Sequence, residues 1–111
     1  MDHAQALANL KKRGWCKGFR FHRDGRRCLL GCYAYNINSR LERELLEELA
    51  ELIVLRYHER VNGVMDTYNN QLVFPHDDCQ TVIACFNNHP ETTEEDCITL
   101  LKELIGQVVS F

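Results

Sequence analysis

The amino-acid sequence predicts an α+β domain, rich in helix, with about four helices and one β-hairpin in its N-terminal half. Three observations carry that class. Three capping boxes each open an apolar stripe at helical spacing, an alternating segment runs into Asp24-Gly25, and 111 residues suit one globular domain over 1–111. A composition of 45% hydrophobic and 26% charged residues is that of ordinary globular proteins and excludes disordered and fibrous classes.

Asp2 with Gln5 opens the first helix, expected over 3–13, with Ala6, Leu7 and Leu10 on its apolar stripe and Lys11–Arg13 at its negative end before Gly14. The alternation Phe19-Arg20-Phe21-His22-Arg23 then meets the turn signal Asp24-Gly25, and Arg26–Leu30 returns antiparallel. A two-residue turn sets Arg23 opposite Arg26, Phe21 opposite Cys28 and Phe19 opposite Leu30. Phe19, Phe21, Cys28 and Leu30 then share a buried face, and Arg20, His22 and Arg27 point outward. A short helix is expected from about Leu30, packed through Gly31 and Ala34.

Ser39 with Glu42 opens the longest helix, about 40–61, whose stripe is Leu41, Leu45, Leu49, Leu52 and Ile53 and whose other face carries Glu44, Glu47, Glu48, Glu51 and Glu59. Residues 64–75 read two ways: a second short hairpin turning at Asn69-Asn70, or a loop carrying Met65, Tyr68 and Phe74 into the core. Asp77 with Gln80 suggests a short helix over 81–86. Thr92 with Glu95 opens a last helix, about 93–108, with Ile98, Leu101, Leu104, Ile105 and Val108 on one stripe. The expected core is Trp15, Phe19, Phe21, Leu45, Leu49, Leu52, Ile53, Ile98, Leu101 and Ile105.

Charge divides the chain. Residues 1–27 hold eight basic side chains against Asp2 and Asp24, a net of +6, and residues 28–111 hold five basic against fourteen acidic, a net of −9. Such a dipolar surface attracts anions at one end and cations at the other. The N-terminus lacks the order of a signal peptide and no apolar run is long enough to span a bilayer, so a cytoplasmic, membrane-free protein with six reduced thiols is expected.

Three segments together carry a family resemblance: Gly14-Trp15-x-x-Gly18, then Asp24-Gly25-Arg26 leading into Cys28-Leu29-Leu30-Gly31, then Asn87-Asn88-x-Pro90 with Thr93-Glu94-Glu95. Across nearly the whole chain this resembles a domain of unknown function of actinobacteria, their plasmids and their phages. Phe86, Asn88 and Cys32 depart from that pattern, which has tryptophan, an acidic residue and a small residue there. The resemblance implies a bacterial or phage origin and supplies no activity, so no catalytic residue is carried over.

Cys28-x-x-x-Cys32 and His76-x-x-Cys79 have spacings that zinc accepts, but thiols in an apolar stretch behave as small hydrophobes, and neither a metal nor another cofactor is expected. Cys16 or Cys79 beside His76 or His89 would make a nucleophile only with a lowered thiol pKa. Asn87–Pro90, before a helix, reads as an anion site or, more simply, as a turn. The basic segment is the most informative feature: Lys17, Arg20, His22, Arg23, Arg26 and Arg27 form the expected partner-binding surface. The expected function is a non-enzymatic interaction module, a phage or mobile-element accessory protein binding an anionic host macromolecule. The acidic pI of about 5.9 sets a host protein ahead of nucleic acid as that partner. The alternatives are a nucleic-acid-binding protein using the arginine hairpin and a small cysteine- or zinc-dependent enzyme.

Overall fold

The computed structural model describes the backbone of residues 1–109 and the side chains through residue 106. The chain runs α1 (His3–Arg13), α2 (Leu29–Cys32), α3 (Arg43–Tyr57) with a 3-10 turn at His58–Arg60, β1 (Val64–Asp66), β2 (Gln71–Val73), α4 (Cys79–Asn88) and α5 (Glu94–Val109). This is the helix-rich α+β class, with one two-stranded antiparallel hairpin pairing Val64 with Val73, Met65 with Leu72 and Asp66 with Gln71. No helix among the described residues is long and apolar enough to cross a membrane.

Helix starts follow local chemistry. The Asp2 carboxylate accepts from the Gln5 N–H at 2.8 Å, and α1 ends at Gly14, as its sequence predicts. Helix α5 opens with a reciprocal capping box one residue later than expected: the Thr93 hydroxyl accepts from Asp96 N–H at 3.2 Å, and Thr93 N–H donates to the Asp96 carboxylate at 3.1 Å. At α4 the cap is Asp78, which accepts from Gln80 N–H, while Asp77 accepts from Phe74 N–H. The Ser39 box does not form. Its hydroxyl accepts from Asn36 N–H and its carbonyl from Arg20, so α3 begins only at Arg43.

The hairpin lies at 64–73, and the expected one at 19–30 is reduced to a single antiparallel bridge, Phe21 to Arg27. Its turn has three residues, Arg23-Asp24-Gly25: His22 N–H donates to Arg26 O at 2.8 Å, Gly25 N–H to His22 O at 3.0 Å, and Gly25 has φ 98°. A glycine in that position of a three-residue loop shifts the register by one relative to a two-residue turn. With isolated bridges in place of strands the faces no longer alternate either: Cys28 stays buried beside Arg27 and Phe21 stays half-buried. Arg27, expected outward, is buried at 7% exposure, and Phe19, expected in the core, is 55% exposed.

The core forms where α3, α4 and α5 meet under α1 and α2. Leu46, Leu49, Leu52 and Ile53 of α3 pack with Val82, Ile83 and Phe86 of α4 and Cys97, Leu100, Leu101 and Leu104 of α5. Of the expected core, Leu49, Leu52, Ile53 and Leu101 are buried, Trp15, Phe21, Leu45, Ile98 and Ile105 are half-buried, and Phe19 is outside. Met65, Tyr68 and Phe74 are exposed, because the inward face of the hairpin is Asp66 and Val73. Val108 lies outside the described side chains.

Candidate functional site

The basic turn is anchored by a buried polar network that begins at the end of α4. Asn87 and Asn88 are its last two residues, and both point inward, 1% and 7% exposed. The Asn87 carbonyl accepts from Trp15 Nε1 at 2.6 Å and from Leu29 N–H at 3.0 Å, the latter completing the N-terminus of α2. Its amide donates to Cys16 O at 3.1 Å. Asn88 accepts from Gly18 N–H at 2.7 Å and donates to the Asp66 carboxylate at 3.1 Å. Asp66 in turn accepts from Tyr68 N–H, Asn69 N–H and the Asn69 amide, fixing the loop of the hairpin. Buried polar groups that are all paired make a rigid unit. The first and third segments that carried the family resemblance therefore bind each other, and Asn87-Asn88 is neither a free anion site nor a simple turn.

On this frame the six expected binding residues separate. Arg27 is structural: its guanidinium donates to Ala34 O at 2.8 Å and reaches Gly31 O and Tyr35 O, and it lies 4.8 Å from the centre of the Phe21 ring. A cation suits carbonyls left open at the end of a helix. Burial, with Arg13 nearby, holds its pKa below the usual arginine value. Arg20 donates to Ser39 O at 2.7 Å and Lys17 to His89 O at 2.6 Å. Arg26 pairs with Asp24 at 2.8 Å, and His22 Nδ1 lies 3.0 Å from the same carboxylate. The Arg26 backbone N–H, then its side chain, holds the Asp24 carboxyl below the ordinary carboxylate range. Arg23 is exposed and, with Lys11, Lys12 and Arg13, has no polar partner among the described residues.

None of these cations is neutralised by the glutamates of α3. Glu47 pairs with Arg43, Glu48 with His3, and Arg56 and Arg60 turn to Glu103 and Asp96 on α5. Two aromatic rings border the basic face. Phe19 stands edge-on to His22, ring centres 5.4 Å apart, and Tyr68 lies over Gly18, where an added Cβ would fall 2.3 Å from its ring. Gly18 has φ 83°, so glycine is required there twice, for the backbone and for the ring. The alternation that placed Phe19 inside could not reveal this; the sequence signal was the glycine of the turn, which suits either loop length.

The zinc and thiol constellations are not assembled. Cys28 caps α2 and Cys32 ends it, whereas His76 and Cys79 sit before and at the start of α4. Among the described residues no three His, Cys, Asp or Glu side chains converge to hold a metal. All six cysteines are free and buried. Burial raises every thiol pKa, Cys32 to about 12 and Cys85 to about 11, with Cys16 and Cys79 also above the ordinary value. This is the opposite of what activates a nucleophile. Cys79 opens onto a cleft of about 450 Å³ between α3 and the 75–78 loop, where Asp78 further opposes its ionisation.

Fold and surface together describe a small helix-rich α+β domain with a rigidly mounted cationic turn. A family model described as a family of unknown function (DUF6197) matches residues 3–107, and the chain belongs to that family. No curated protein and no solved structure gives a significant match.

Proposed function

We propose that the domain is a non-enzymatic interaction module whose working surface is the basic turn around Lys17–Arg26, and that its partner is an anionic macromolecule. The observation that carries this reading is the separation of charge. The cations of 11–26 are left unneutralised by the acidic helix, while the cations of 43–60 each find a carboxylate. Like charges crowded together with one carboxylate, Asp24, among them leave a standing anion-attracting field. The bacterial or phage origin that the resemblance implies suits an accessory role in a phage or mobile element, and the charge segregation suits a host macromolecule as partner. A buried arginine cannot serve there, so the working set is Lys17, Arg20, His22, Arg23 and Arg26.

The test compares two variants of equal net charge on immobilised heparin. Lys17→Ser with Arg23→Ser should elute at lower salt than the wild type, because two cations with no carboxylate partner among the described residues are lost. Arg43→Ser with Arg56→Ser removes cations already paired to acids and should elute markedly later than the first pair. Equal elution of the two variants would show that net charge alone governs binding and would overturn the assignment of the surface.

A further inference from the structure

We infer that the anionic partner is single-stranded nucleic acid, its bases stacking on Phe19 and Tyr68 while Lys17 and Arg23 take its phosphates. This rests on the proposal that the basic turn is the working surface, and adds which polyanion fits it. Phe19 is 55% and Tyr68 54% exposed, so both rings are open to a ligand. They border one segment: Tyr68 sits on Gly18, and Phe19 is the next residue. Both mounts are stiff. Gly18 N–H is held by Asn88, Cys28 N–H donates to Phe19 O at 3.2 Å, and the backbone N–H of Tyr68 is held by Asp66.

Stacking platforms beside a cationic track are the way proteins hold unpaired strands without reading sequence, since every base has a π-face and every nucleotide a phosphate. An acidic protein surface would satisfy the cations and leave two rings facing carboxylates. One nucleic-acid strand satisfies both. Duplex DNA fits less well, because its bases are already stacked and a groove-entering ribbon needs paired strands, whereas the basic turn has one antiparallel bridge. Lys17 keeps donors free beyond the one given to His89 O, and Arg23 keeps its whole fork. The acidic pI argued against nucleic acid from the sequence, but the acids of α3 are on a different element, and Glu47 and Glu48 pair with Arg43 and His3.

The experiment measures fluorescence anisotropy of a labelled oligodeoxythymidine of about twelve nucleotides, a length within the span such sites cover, against the full chain. A duplex of the same length and a labelled polyglutamate run in parallel. The single strand should bind more tightly than the duplex. Phe19→Ala should weaken it roughly 5- to 150-fold, the loss expected for one stacked base, with the salt slope unchanged. Phe19→Trp should restore binding. Arg23→Ser should lower the salt slope by about 0.7, one phosphate on a single strand. Thermal melts of the Phe19 variants, at an exposed site, should match the wild type, and Tyr68→Phe, which keeps the ring on Gly18, should bind as the wild type does.

Equal oligonucleotide affinity of Phe19→Ala and wild type, or tighter binding of the duplex, would overturn the stacking inference. Polyglutamate bound through Arg23 with no oligonucleotide binding would overturn nucleic acid and leave the anionic-partner proposal standing. Binding of neither would remove both.

Discussion

Replacing Asn87 tests whether the polar network holds the basic turn in place. Asn87→Ala removes an acceptor from Trp15 Nε1 and Leu29 N–H and a donor from Cys16 O. Leu29 and Cys16 are buried, so two backbone groups lose their partners away from water, while the half-buried Trp15 indole can recover one from solvent. An orphaned buried group costs about 1–3 kcal/mol, so the pair costs about 2–6 kcal/mol against a typical domain stability of 5–15 kcal/mol. Urea unfolding followed by circular dichroism, and by the fluorescence of Trp15, the only tryptophan, reads this directly. Asn87→Asp separates the two halves of the interaction. It keeps the acceptor for Trp15 and Leu29 but turns an oxygen toward Cys16 O and toward Asn88 Oδ1, so it should be destabilised at pH 7. Protonation restores an O–H donor, so its deficit relative to wild type should shrink as pH falls through the carboxylate range. A loss below about 1 kcal/mol for Asn87→Ala, or a deficit of Asn87→Asp that grows in acid, would refute the assignment of Asn87 as the tie between α4 and the turn.

Two other outcomes follow from the same geometry. Arg27→Met, which keeps the stem and drops the charge, should cost about 1–3 kcal/mol by leaving the buried Ala34 carbonyl unpaired, whereas Arg23→Ser should stay within about 0.5 kcal/mol; equal urea midpoints for the two would refute the division into structural and working arginines. Burial, with Arg60 adding, holds the His89 pKa below its ordinary 6.5. The unfolded chain then binds the extra proton first, so stability should fall as pH drops below that value, and His89→Asn should flatten the decline in a series of melting temperatures from pH 7.5 to 5; an unchanged slope would exclude His89 as its source.

Much of the helical frame was legible because capping chemistry is local. Asp2 and Gly14 bound α1 as their residue types require. The caps of α4 and α5 slip by one residue because the chain offers two capping residues in tandem, Asp77-Asp78 and Thr92-Thr93, and the fold uses the second of each, while α4 itself, Cys79–Asn88, outruns the expected 81–86 at both ends. Thr92 is instead buried against Arg60. Ser39 failed as a cap because its hydroxyl is taken by Asn36 N–H and its carbonyl by Arg20, nineteen residues away, and that second contact is one local pattern cannot contain. The network was illegible on the same ground. Asn-Asn before His-Pro is turn composition, and only the position of Trp15, Gly18 and Asp66 around the end of α4 turns those side chains inward.

The register of the first turn is where sequence and surface diverge most, and it decides the functional reading. With two turn residues, Phe19 and Phe21 would close a core, and Arg20, His22 and Arg27 would project from a regular ribbon. With three, Arg27 rotates inward and spends its charge on the carbonyls after α2, while Phe19 rotates outward beside His22. The exchange costs the surface one cation and gives it an aromatic ring. Loop closure between the turn and α4 is already complete in the folded state, through Asn87, Asn88 and the Lys17 contact with His89 O. A surface held this way has little ordering entropy left to lose on binding, so a few contacts suffice for measurable affinity. Loosening the network without touching the surface should therefore weaken binding as well as folding: under conditions where Asn87→Ala remains folded, it should lose oligonucleotide affinity although Phe19, Tyr68 and Arg23 are all intact. Undiminished affinity in a folded Asn87→Ala chain would show that the turn needs no preorganisation to work.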